Sequence, residues 1–222
     1  MSLYNYIIIV SISAYFIVLS IALLRAEVPI DASALLGAAL GAALSGGVAV
    51  FLFGASERKQ EVNAKANLLA SEQFIIVIQS KMAHFRCFLD KELDDIPSIV
   101  PDILIRNAGI QSSINCEKLL DWAPNVAQLS LPSSKYIIEF YHGFNAYREA
   151  LHSVVMLYSQ SDKSLSKTEA TLRYVMGTLD EVGEFLCEKG ANVSRASGSS
   201  SSDLERSWKD LVENTRKTVN RS

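Results

Sequence analysis

The chain has 222 residues, with 21 Lys plus Arg against 24 Asp plus Glu and a formal net charge of −3 at pH 7. That balance, with no long basic run, argues against direct nucleic-acid binding, which rests on neutralising phosphates. Cys87, Cys116 and Cys187 are odd in number and lack paired spacing, which predicts a reducing compartment and no disulfide framework.

No side chain between Met1 and Leu24 is charged, and none between Ala32 and Ser56. A bilayer core about 30 Å thick takes roughly 20 apolar residues as a helix, so residues 6–24 and 34–53 are expected to be spans. The leader Met1-Ser2-Leu3-Tyr4-Asn5 has no basic residue, and Ala22-Leu23-Leu24-Arg25 has no small-x-small cleavage pattern. The first span therefore reads as a retained helix rather than a cleaved signal. The connection Arg25 to Ser33 contains Pro29 and is too short to fold alone, so residues 1–55 are expected to form a transmembrane hairpin. Arg58, Lys59 and Lys65 follow the second span, whereas the turn has only Arg25 beside Glu27 and Asp31. The positive-inside rule then puts both the N- and C-termini in the cytoplasm.

The two spans differ in composition. The first carries bulky Tyr6, Ile9, Phe16 and Ile21, while the second is built largely from Gly and Ala. Gly37, Gly41, Ser45 and Ala49 recur every four residues, with Ala38, Ala42 and Gly46 on the next face and Gly47 beside them. Such spacing lets a second backbone approach closely. It predicts either a homo-oligomer or packing of this face against the first span. Neither span carries Asp, Glu, Lys, Arg or His, which leaves a proton relay, a voltage sensor or ion-coupled transport no residues to work with.

Residues 56–190 read as a cytoplasmic helical bundle, so the chain as a whole is expected to be all-α. From Glu57 to Asp95 there is no Gly or Pro, which predicts a long helix with Val62, Ala66, Leu69, Gln73, Ile76, Phe85, Phe88 and Leu89 as its apolar face. Phe74 to Ile78 is apolar all round and is expected to be buried on several sides. A short helix is expected over Asn115 to Trp122. Ser130-Leu131-Pro132 looks like a helix start, followed by a heptad-like stripe of Ile137, Phe140, Phe144, Tyr147, Leu151, Val154 and Tyr158. After a turn from Ser159 to Ser166, a second stripe runs through Leu172, Val175, Leu179, Val182 and Leu186, with Gly190 as the expected C-cap. The two make an antiparallel helix pair. Residues 191–202 read as a Ser-rich linker, and residues 203–222 as an amphipathic helix opened by a capping box at Ser202-Asp203-Leu204-Glu205. Trp208 and Leu211 lie on its apolar face. They either fold back on the bundle or dock a partner.

Little in the chain suggests chemistry. His84-x-x-Cys87 sits on one helix face, but two ligands do not make a metal site. Arg148-Glu149-Ala150-Leu151-His152 resembles the Arg-x(4 to 6)-His motif of the helical HEPN ribonucleases, yet only three residues intervene, so Arg148 and His152 read as a solvent-facing pair. There is no Gly-rich phosphate loop, nucleophile elbow or paired-carboxylate pattern. The expectation is no enzyme, no cofactor and no metal.

A two-span hairpin with a Gly/Ala-rich second helix and a helical body resembles, in layout, the two-transmembrane-helix effectors of bacterial anti-phage systems, including retron-type ones. The resemblance implies a toxin of the bacterial inner membrane, multi-pass, that assembles when a restraining partner lets go, disrupts the bilayer and causes abortive infection. It implies a retron reverse transcriptase with its DNA-RNA product as that partner, and Gly37, Gly41, Ser45, Gly46, Gly47 and Ala49 as the assembly face. The competing expectation is a membrane-anchored scaffold or adaptor that recruits a cytoplasmic partner and is not toxic.

Overall fold

The computed structural model describes residues 32–94, 114–160, 165–199 and 201–219, with side chains placed over 46–91, 114–156, 167–199 and 201–219. Among the described residues the fold is all-helical, with no strand. The helices are α1 (Ala32–Asp94), α2 (Lys118–Val126), α3 (Leu131–Gln160), α4 (Leu165–Ser197) and α5 (Trp208–Val219). The chain divides into two compact units, Met1–Lys59 and Gln60–Ser222.

In the first unit, the expected span 6–24 lies outside the described residues. The expected span 34–53 falls on α1, and here the membrane reading is corrected. Among the described residues no helix is long and apolar enough to cross a membrane. Past Ser56 the same helix turns polar at once, with Glu57, Arg58, Lys59 and Glu61 in its next two turns. Localisation as a multi-pass protein of the bacterial inner membrane, with both termini cytoplasmic, is thereby overturned. Val48, Phe51, Leu52 and Phe53 are exposed on this stretch of helix.

The second unit is a bundle. Ser130 starts α3 as an N-cap, its Oγ accepting the Ser133 N–H at 3.2 Å while its backbone carbonyl accepts from Ser134. Along α3, Ile137, Phe140, Phe144, Tyr147 and Leu151 are buried, and along α4, Leu172, Val175, Leu179 and Leu186 face them. The pairs Ser130–Ala196, Glu139–Lys189 and Gly143–Phe185 show that α3 and α4 run antiparallel, as the two stripes predict. The bundle's third long member is α1. Its buried stripe runs through Ala64, Ser71, Ile75, Ile78, Met82, Phe85 and Leu89, with Leu68 half-buried, in steps of four and three, and Glu72, Gln79, Ala83 and Cys87 are buried beside it. Val62 and Leu69, expected on the buried face, are exposed, and Val77 within the apolar run is 46% exposed. α2 closes one side: Trp122 stands edge-on to Phe74 with ring centroids 6.0 Å apart, and the Ser134 hydroxyl donates to the Ala123 carbonyl at 2.8 Å. The helix runs past the expected end at Trp122, so that Pro124 lies inside its final turn.

α4 does not stop at Gly190. It runs on to Ser197 and ends in a Schellman motif, in which Gly198 has φ +70°, its N–H donates to the Arg195 carbonyl, and the Ser199 N–H donates to the Ser194 carbonyl. Gly190 serves packing instead. A methyl there would meet Gln79 Nε2 at 2.7 Å and Ile75 Cγ2 at 3.2 Å, so its absence lets α1 come close. The first residues of the expected Ser-rich linker are thus the last turns of a helix. Its serines are occupied too, since the Ser197 and Ser199 hydroxyls both donate to the buried carboxylate of Glu72 on α1, at 3.0 and 2.7 Å.

Candidate functional site

The C-terminal segment lies in a seat made by α1 and α4. Residues 202–205 form a turn rather than a helix start, and α5 begins at Trp208 behind a different cap. The Ser207 Oγ accepts the Asp210 N–H at 3.2 Å, and the Ser207 hydroxyl donates to the Asp210 carboxylate at 2.7 Å. The segment descends along α4 antiparallel to it and alongside α1.

Three features build the seat. The first is a pair of glycine notches on α4. Leu204, fully buried, packs at Gly190, where an added methyl would lie 3.3 Å from its Cδ2. Trp208, 4% exposed, lies across Gly183, where a methyl would come within 2.4 Å of the indole Cδ2 and Cε2. No residue with a side chain fits at Gly183 while the indole is in place. The second feature is the far end of the indole, whose Nε1–H donates to Asp180 Oδ1 at 2.8 Å.

The third feature is ionic. Arg86 of α1 donates through Nε to both oxygens of Asp180, at 2.9 and 3.1 Å, and through Nη1 to Asp90, while Arg216 of α5 donates to the other oxygen of Asp90. Burial works against the charge on Arg86, but hydrogen bonds and attraction from Asp180 and Asp90 outweigh it and hold its pKa above the ordinary value. The arginine therefore stays charged, and two carboxylates that would otherwise repel are joined through it. The Cys87 thiol adds a contact with the Val212 carbonyl at 3.5 Å. Beside the segment lies an open cleft of about 550 Å³ lined by Arg86, Glu184, Trp208, Lys209, Glu213 and Arg216, among others.

Of the residues singled out in the sequence, Trp208 is buried in this seat and Leu211 is half-buried against the core. Gly37, Gly41 and Ser45 lie on α1 without described side-chain surroundings, Gly46 is half-buried, and Gly47 and Ala49 are exposed, with open space around Gly47. His84 is exposed, its ring bonded to the Ser80 carbonyl at 2.8 Å, whereas Cys87 is buried, so this pair does not converge. Among the described residues no three His, Cys, Asp or Glu side chains gather as metal ligands do. Arg148 reaches Cys116 Sγ at 3.9 Å, and with Glu149, exposed His152 and Ser153 it lines a shallow depression. Sequence reading missed Arg86, Asp180 and Gly183, and took Gly190 for a helix end. The only local hint was two glycines inside a helical pattern, which usually have a packing reason.

No protein family matches the chain, and neither a curated protein nor a solved structure matches it.

Proposed function

We propose that this chain is a non-enzymatic adaptor whose helical body recruits a protein partner. The observation that carries the reading is the seat on α1 and α4, a surface that holds an amphipathic helix by one buried Trp, two glycine notches and a charge clamp. That is how grooves recognise helical peptides, with apolar anchors for affinity and flanking charges for register. The test compares a chain with the segment freed (Trp208→Ala) and one with it locked by a disulfide between Cys87 and a cysteine placed by Val212→Cys. Partner retained by the freed chain and lost by the locked one supports the adaptor. Equal retention by both refutes recruitment through the seat.

A second reading is a toxic effector of an anti-phage system, restrained by a partner such as a retron reverse transcriptase with its DNA-RNA product and assembling as a homo-oligomer on release. The exposed run of Val48, Phe51, Leu52 and Phe53 favours assembly, because large apolar side chains in a contiguous patch mark interaction surfaces. Expressing the chain without neighbouring genes should then arrest growth, and Phe51→Ser with Leu52→Ser should relieve the arrest. Unimpaired growth with the chain abundant would count against it.

A further inference from the structure

The terminal segment is bound to its own bundle by contacts that any other copy of the bundle also offers. We infer that residues 203–219 are an exchangeable strap, able to leave their own seat and occupy that of a second copy of this chain. The inference rests on reading the seat as a peptide-binding surface.

The geometry supports a strap that releases as a unit. Leu204, Trp208 and Thr215 are its buried residues, with Leu211 and Val212 half-buried, while Glu205, Arg206, Lys209, Asp210, Glu213, Asn214, Lys217 and Thr218 face out. No element packs over it from outside among the described residues. What holds it is discrete, namely Leu204 and the indole in the two glycine notches, the Trp208–Asp180 bond, the Cys87–Val212 contact and the Arg216–Asp90 pair. The strap joins α4 through the Schellman turn at Gly198 and the serines bonded to Glu72. Opening at that joint frees the strap without breaking any bond between α3 and α4.

The occupant that fits the vacated seat is fixed by the seat itself. It calls for an apolar residue at one notch, a flat aromatic ring with an N–H donor at the next, and a cation about two turns further along to meet Asp90. The strap has this order in Leu204, Trp208 and Arg216, and so does every other copy. Contacts made in cis and in trans are the same. The balance is therefore set by chain concentration against the effective concentration of the tethered strap, which for short flexible linkers is of order mM. Exchange of an identical element in this way is a low-cost route to a dimer.

The test uses two full-length chains. One is native, with Cys87 under the Val212 carbonyl. The other carries Cys87→Ser and Val212→Cys. Neither can close this link alone, so a disulfide joining Cys87 to the cysteine introduced at 212, identified by peptide mapping, forms only when the strap of the second chain sits on the bundle of the first. The expected result is that linked product grows roughly in proportion to chain concentration while this stays below the effective concentration of the tether. All samples contain oxidised glutathione as the two-electron acceptor, and a chain with Val212→Cys and native Cys87 is the control for internal closure. If it closes and the mixed chains never link at any concentration, exchange is overturned. If it fails to close, positions 87 and 212 do not meet disulfide geometry, and exchange is read instead as a concentration-dependent dimer of the native chain by light scattering, whose absence overturns it. A labelled peptide of residues 203–219 added to the Trp208→Ala chain separates the two readings. Peptide binding without chain exchange sinks the exchange and leaves the seat standing as a recruiting surface. No peptide binding and no exchange sinks both.

Discussion

Replacing Gly183 with alanine probes the seat at its tightest point. The added methyl would lie 2.4 Å from two indole carbons of Trp208, where ordinary contact begins at 3.4 Å, so the ring must move by about 1 Å. It cannot swing aside as a flexible chain end would, because it is 4% exposed and its Nε1 is bonded to Asp180 at 2.8 Å. Overpacking of this kind costs about 1–3 kcal/mol, and loss of a hydrogen bond to a charged group adds about 1.5–3 kcal/mol. Against this, Ala is better than Gly in a helix interior by about 1 kcal/mol. The net expectation is a loss of about 1.5–5 kcal/mol with the strap displaced. Gly177, on the same helix with nothing within 4 Å of an added methyl, supplies the control. Gly177→Ala should gain the helical term alone, about 1 kcal/mol. Denaturant midpoints of the two variants and the native chain measure both numbers. With Trp122→Phe as background, the emission of Trp208 reports whether the indole is still buried. If Gly183→Ala is as stable as Gly177→Ala and Trp208 emission stays native, the notch does not hold the strap and the reasoning fails.

Tyr147 is 2% exposed, and its hydroxyl finds no partner among the described residues. An unsatisfied buried group costs about 1–3 kcal/mol, so Tyr147→Phe should leave stability equal or higher, and a loss above about 1 kcal/mol would show a bond is there. Burial pushes the thiols of Cys87 and Cys116 up and that of Cys187 to about 12. Because the thiolate is the reactive form, a thiol reagent at pH 8 should modify these three slowly in the folded chain and quickly after denaturation, whereas fast reaction of Cys187 without unfolding would contradict its burial. By the same linkage the protonated Cys187 favours the fold fully below the unfolded thiol pKa, and this contribution fades as pH climbs towards about 12. Gly198→Ala should cost about 1–2 kcal/mol, since φ +70° crowds any Cβ, and Gly198→Asn should cost less; equal stability of all three would mean the turn relaxes freely.

The α3–α4 pair was legible because its stripes are made of large apolar residues at unbroken heptad steps, from Ile137 to Leu151 and from Leu172 to Leu186. The buried face of α1 was not. Ala64 and Ser71 occupy core positions there without looking apolar, Phe74 to Ile78 is apolar in every direction and sets no phase, and exposed Val62 and Leu69 imitate a stripe of their own. Gly190 and the Ser-rich stretch misled for a related reason: glycine inside a helix can mean close packing as well as an end, and Ser194, Ser197 and Ser199 find partners that only the fold brings near. The seat was invisible because it joins residues more than 90 positions apart, Arg86 with Asp180 and Asp90 with Arg216, which no local spacing encodes.

The strap and its seat leave a pattern that can be searched for. In this chain it reads Arg-x3-Asp at 86 and 90, Asp-x2-Gly-x6-Gly at 180, 183 and 190, and Leu-x3-Trp-x7-Arg at 204, 208 and 216. Each part is short and common alone. Together they are coupled by mechanics: a chain that loses the Trp no longer needs the second Asp or the small residue opposite it, and a chain that enlarges that residue must give up the Trp. Divergent relatives are therefore expected to keep the three parts as a set or drop them as a set. Such joint gain and loss would identify kinship where overall similarity has faded.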